Sequence, residues 1–135
     1  MEVFIPVFLK TASAKIAVVS SLADARGVPF SAGYTSSKAA VSKLCEAARV
    51  QLKGTGIDII TIRPGFVRTK MTANFKGKMP FILDAEKAAK IIVKKIRMNK
   101  KIISFPKVPA VFSYIMSRIS NKLYEFAAHL WLKEK

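Results

Sequence analysis

The stretch "KIAVVSSLADARGVPFSAGYTSSKAAVSKL", residues 15–44, changes its pattern twice. It opens on Ile16, Ala17, Val18 and Val19, a short apolar run closed by two hydroxyls, which is how a strand buried on both faces reads. A strand is predicted over 15–20. Gly27, Pro29 and Gly33 then punctuate a loop. From Tyr34 the residues become small and helix-compatible, with Ala40, Leu44, Ala48 and Leu52 at helical steps, so a helix is predicted over 34–53, ended by Gly54 and Gly56. Strand, loop and helix in that order begin an α/β layer.

The same alternation continues on either side. Residues 1–13 read as the end of a helix, and "IDIITIRPG", residues 57–65, reads as a second buried strand over 57–63, stopped by Pro64 and Gly65. An apolar loop fills 66–83. Asp84 is placed to cap a helix from Ala85 to about Met98, whose inward face carries Ala88, Ile91, Ile92, Lys95 and Ile96, the Lys95 stem lying along the apolar side. "KIISF", residues 101–105, supplies a third short strand. Beyond Pro106 and Pro109, Phe112, Ile115, Met116, Ile119, Leu123, Phe126, Ala127 and Leu130 recur at three- and four-residue steps, with Arg118, Lys122, Glu125 and His129 opposite them; one amphipathic helix is predicted. Strands separated by helices imply a parallel sheet with right-handed crossovers, and functional residues at the carboxyl ends of its strands. Ser20, Ser21, Pro64 and Gly65 fall at such ends.

Among 135 residues, 51% hydrophobic content argues for one folded domain rather than disorder. The 24 basic against 8 acidic residues give a formal charge of +16, which favours anionic partners. Most of the excess is Lys, which suits a solvated surface better than base reading, and no aromatic platform accompanies it, so nucleic acid is not the expected partner. A single Cys45 cannot form an internal disulfide, and with one His129 there is no ligand set for a metal. No signal peptide is evident, and a reduced, cytoplasmic setting is expected.

Tyr34 and Lys38 stand four residues apart, so on a helix the phenol and the ammonium share a face. Alone, that pair is within chance for a chain with three Tyr and abundant Lys. In order along the chain, however, stand a strand ending in Ser20 and Ser21, Tyr-x-x-x-Lys at 34–38, and the turn "PGFVRT" at 64–69. Together these resemble the short-chain dehydrogenase/reductase family over roughly residues 1–106. The family's opening strand and Gly-rich turn, TGxxxGxG, do not occur in these 135 residues. The Gly54 and Gly56 pair stands between a helix and the next strand, the wrong order for a phosphate turn.

The resemblance implies the last three strands of a Rossmann-like doubly wound sheet in residues 1–106, the carboxyl half of the family's domain, with 107–135 as an amphipathic helical extension. It implies an NAD(P)-dependent oxidoreductase interconverting a carbonyl and an alcohol. Ser21, Tyr34 and Lys38 would be catalytic; Tyr34, Lys38, Pro64, Gly65, Val67 and Thr69 would line the cofactor, NAD or NADP. A free phenol titrates near pH 10, so only about 0.1% is ionised at pH 7, and an adjacent ammonium favours the anion. The apolar loop with Met71, Phe75, Met79, Pro80, Phe81, Ile82 and Leu83 reads equally as a pocket wall for an apolar carbonyl or alcohol substrate and as a cover for the core. Without the Gly-rich turn the chain alone is expected to be inactive, its partner being the family's amino-terminal half or another copy across an open sheet edge. A second reading is a non-catalytic remnant, or a basic amphipathic module contacting a membrane surface through Lys90, Lys94, Lys95, Lys100, Lys101 and the tail.

Overall fold

A computed structural model describes residues 4–11, 13–75 and 77–133. In chain order the elements are α1 (Phe4–Phe8), β1 (Ala14–Val19), a 3-10 turn (Leu22–Ala25), α2 (Ala32–Gln51), β2 (Ile57–Pro64), β3 (Val67–Arg68), α3 (Lys70–Ala73), β4 (Leu83–Asp84), α4 (Ala85–Arg97), β5 (Ile102–Phe105), α5 (Lys107–Arg118) and α6 (Asn121–Lys133). The main sheet has the order β1-β2-β5 and every pairing in it is parallel. This is the α/β architecture expected from the strand and helix pattern.

Central β2 explains why the pattern is apolar without alternating. Ile57 and Ile59 point to one side, where they pack with Cys45, Ala48 and Leu52 of α2 and with Ile5 and Phe8 of α1. Ile60 and Ile62 point to the other, against Ile103 and Phe105 of β5 and Ala88, Ile91, Ile92 and Ile96 of α4. A strand covered on both faces has no solvent side to mark with polar residues. Burying each Ile stabilises the fold by about 1.5–3 kcal/mol, and Ile59, Ile60 and Ile103 are among the most completely buried side chains.

Several predicted details shift. The inward stripe of α2 is Val41, Cys45, Ala48 and Leu52, while Leu44 faces solvent, so the predicted stripe was rotated by one residue at its start. The helix also begins two residues early, at Ala32, which places Tyr34 in its first turn. The segment 66–83 is not all loop: β3 and β4 pair in parallel, and α3 lies between them. Asp84 occupies the position before α4 but makes no side-chain cap. Its carboxylate accepts instead from Arg68 Nε at 3.1 Å and lies 3.8 Å from Lys87 Nζ. The tail is two helices, interrupted at Ile119, whose ψ of 153° is extended. Its apolar stripe is largely exposed rather than turned to a core.

Candidate active site

At the carboxyl end of β1 the two serines have different fates. Ser20 is buried, and its hydroxyl donates to the Lys38 carbonyl at 2.9 Å, tying the strand end to α2. Ser21 accepts from the Ala23 N–H at 3.1 Å, which starts the 3-10 turn, and its own hydroxyl lies 3.5 Å from the Pro64 carbonyl. That second distance is at the outer limit for a hydrogen bond. Ser21's proton is therefore loosely held and can turn to another acceptor, whereas Ser20's is committed.

The small residues Ala32 and Gly33 bring Tyr34 into the first turn of α2, 45% exposed. Lys38, one turn on, places its ammonium 5.8 Å from the centroid of the Tyr34 ring and donates to the Val19 carbonyl at 3.3 Å. Val19 is on the edge strand, so this is a carbonyl the sheet leaves unpaired. On the neighbouring strand, Gly65 N–H donates to the Phe105 carbonyl at 2.7 Å and starts the turn after β2. A Cβ at Gly65 would come within 3.2 Å of Pro106 Cδ and 3.5 Å of Leu22 Cδ1, so a side chain there would require Pro106 to give by a few tenths of an ångström. Val67 is held in β3 opposite Leu83, and Thr69 precedes α3, its N–H donating to Thr72 Oγ1 at 2.9 Å. Hydrogen bonds thus join Ser21 to Pro64, and Lys38 to the Ser20 and Val19 end of β1. Val67 and Thr69 are placed by their own short elements.

Beneath these residues runs a network that the sequence reading missed. Asp24 is buried to within 4% of its side chain and accepts from Arg63 Nε, at 2.8 Å to the nearer oxygen, and from an Nη of the same guanidinium. Ser42 Oγ reaches the Asp24 carboxylate and lies 2.8 Å from Ser20 Oγ. Ser113 of α5 donates to the Leu22 carbonyl at 2.9 Å and sits 3.4 Å from Arg63. The signal was present in "TIRPG": a charge at the end of a strand buried on both faces requires a partner in the same low-dielectric space.

A family model described as short chain dehydrogenase matches residues 1–80. The chain belongs to that family. Among similar proteins, an uncharacterized oxidoreductase of Myxococcus xanthus is 38% identical over 110 residues, a match covering 82% of this chain and 44% of that protein. The ketoacyl reductase HetN of a Nostoc species is 32% identical over 100 residues, covering 71% and 35% respectively. This short-chain dehydrogenase chain therefore spans less than half the length of these curated relatives. Among solved structures, a short-chain dehydrogenase from Burkholderia cenocepacia in complex with NADP superposes with a TM-score of 0.77 at 19% identity, covering 92% of this chain and 51% of that one. One from Sphingobium yanoikuyae in complex with NADPH gives 0.68 at 16% identity, with 86% and 50% covered. These likenesses show the same fold.

Proposed function

We propose that this chain carries the proton-transfer residues of an NAD(P)-dependent oxidoreductase that interconverts a carbonyl and an alcohol. What supports the proposal is that Lys38, hydrogen-bonded to the Val19 carbonyl at the open end of β1, sets its ammonium 5.8 Å from the centroid of the Tyr34 ring, while Ser21 follows the same strand and reaches the Pro64 carbonyl. Tyr34 Oη is the proton donor to the carbonyl oxygen in reduction and the acceptor from the alcohol in oxidation. Ser21 Oγ, with its loosely held proton, donates a hydrogen bond to the same oxygen, a contact that strengthens as negative charge develops there. The Lys38 ammonium, 5.8 Å from the centroid of the Tyr34 ring, sets a positive charge beside the reacting group.

The residues present fit the nicotinamide end of a dinucleotide. Lys38 has three ammonium donors and one near contact, on Val19, so donors remain for ribose hydroxyls. The side-chain-free turn at Gly65, together with Val67 and Thr69, would take the carboxamide side of the ring. When bound, the nicotinamide supplies or accepts the hydride. The pyrophosphate needs donors of another kind, a Gly-rich turn at a helix end, and these 135 residues contain no such turn. NAD and NADP are equally compatible with the residues here. Met71, Phe75 and Phe81, exposed in the segment following the site, favour an apolar substrate.

The test joins this chain, in trans or as a fusion, to the amino-terminal half of a related short-chain dehydrogenase. The chain alone should show no micromolar dinucleotide binding by calorimetry, and the joined protein should oxidise NAD(P)H with an apolar carbonyl. Tyr34→Phe should then lower kcat by about a hundredfold or more, since the ring stays and the proton goes. An active Tyr34→Phe protein would remove Tyr34 from the role. Tight dinucleotide binding by the isolated chain would refute the division of labour.

A further inference from the structure

The outer faces of α5 and α6 are apolar, the reverse of what a solvent-facing helix should show. α5 turns Ser113 inward to the Leu22 carbonyl. On its other side Val108, Val111, Phe112 and Ile115, at the spacing i, i+3, i+4, i+7, are exposed, Phe112 by 61%. α6 keeps Tyr124, Ala128 and Leu132 half-buried while Leu123, Phe126, Ala127 and Leu130, at the same spacing, are exposed, Phe126 by 63%. This is the residue pattern of a core-facing stripe, on both helices, turned to the outside.

The borders of the stripes say what fits against them. Lys107 and Arg118 flank the first, Lys122 and Lys133 the second, and Glu125 is the one acidic residue between Lys107 and Lys133. Tyr114 and Trp131, amphipathic side chains favoured at a membrane–water boundary, are also partly exposed. A second copy of the chain would match the apolar stripes but would bring the same basic borders and another +16 against them. An anionic bilayer surface satisfies both features, taking the stripes into its outer acyl region and pairing the borders with headgroups. Among the described residues no helix is long and apolar enough to cross a membrane, so the contact is interfacial.

We propose that α5 and α6 form a docking surface for an anionic lipid bilayer, on which both helices lie flat. This proposal stands apart from the catalytic reading and survives its failure. The test uses the full chain with vesicles of phosphatidylcholine, with and without phosphatidylserine. Trp131, the sole Trp, is the probe. Its emission should shift to the blue with phosphatidylserine vesicles, less so with neutral ones, and the shift should weaken with salt. Phe112→Ser and Phe126→Ser, both at exposed sites, should each reduce partition by about tenfold or more. Replacing Lys107, Arg118 and Lys122 together by Gln should reduce it by roughly a hundredfold, at about fivefold for each basic residue. Circular dichroism would verify that the variants remain folded. Partition unchanged in both Phe variants would overturn the proposal, leaving only bulk charge attraction. So would self-association that the Phe variants dissolve, with no vesicle binding, since the stripes would then belong to a second copy.

Discussion

Asp24 and Arg63 bind together the segments that carry the candidate site. The 3-10 turn that carries Asp24 follows Ser21, Arg63 precedes the Pro64 and Gly65 turn, and Ser42 on α2 stands one turn beyond Lys38, so one buried ion pair joins all three site segments. Exchanging the whole pair for apolar groups could be neutral, but removing one partner strands a charge in a low-dielectric space. Asp24→Ala should therefore destabilise the chain by about 3–5 kcal/mol, read as a lower urea midpoint. A midpoint within error of the parent would show that water already screens Arg63. This pair also marks where sequence reading ended at this scale. Tyr34 and Lys38 are four residues apart and one helix fixes their relation, whereas Asp24 and Arg63 are separated by 39 positions and meet only once β1 and β2 are aligned. The choice of Ser21 over Ser20 rests on the family likeness alone; the Ser20 hydroxyl donates to the Lys38 carbonyl.

At the level of elements, α2 and α4 were legible from apolar residues at helical steps, and β1, β2 and β5 from short β-branched apolar runs bounded by turn residues. β3 and β4, at two residues each, are too short to have a period at all. The tail misled for a different reason. Its apolar positions keep three- and four-residue steps straight through Ile119 and Ser120, and neither Gly nor Pro marks the break. What stabilises the break is a distant side chain: Arg26 donates from Nε to the Met116 carbonyl at 2.8 Å, from Nη2 to the Ile119 carbonyl and from Nη1 to Asn121 Oδ1 at 2.7 Å. The last carbonyls of a helix lack intrahelical partners, and a guanidinium serves them with charge as well as hydrogen bonds. The same Arg26 stacks 5.2 Å from the Tyr124 ring, whose hydroxyl donates to the Gly27 carbonyl. Arg26→Ala should thus loosen α6 while sparing the sheet. Hydrogen exchange should show amide protection in 121–133 falling by about tenfold or more with β2 and β5 unchanged, as expected of a local opening unit. Equal protection before and after the change would mean that α6 is held by its apolar contacts alone.

For the molecule as a whole, charge and the open edge of β1 act against each other. Ala14 and Ser20 donate their N–H groups to the carbonyls of Gly56 and Ile62, so the intervening Lys15, Ala17 and Val19 turn their backbone groups away from β2, toward an edge that no described strand covers. Lys38 occupies only the Val19 carbonyl. An uncovered edge is a template for another strand, from a second copy or from the family's amino-terminal half. Two chains that each carry +16 repel, and the repulsion reaches about 10 Å at 0.1 M salt but only about 3 Å at 1 M. Edge pairing should therefore strengthen with salt, whereas docking of the basic tail on anionic lipid should weaken with it. The two associations can be separated by that sign alone. In sedimentation velocity without lipid, the average mass should rise with protein concentration and rise further with added sodium chloride. Ala17→Pro removes an outward N–H without touching the ladder to β2, and Ala17→Lys sets a charge on the edge; each should return the chain to monomer. If both variants associate as the parent does, and Phe112→Ser or Phe126→Ser does not, the contact lies on the tail helices and the edge of β1 is silent.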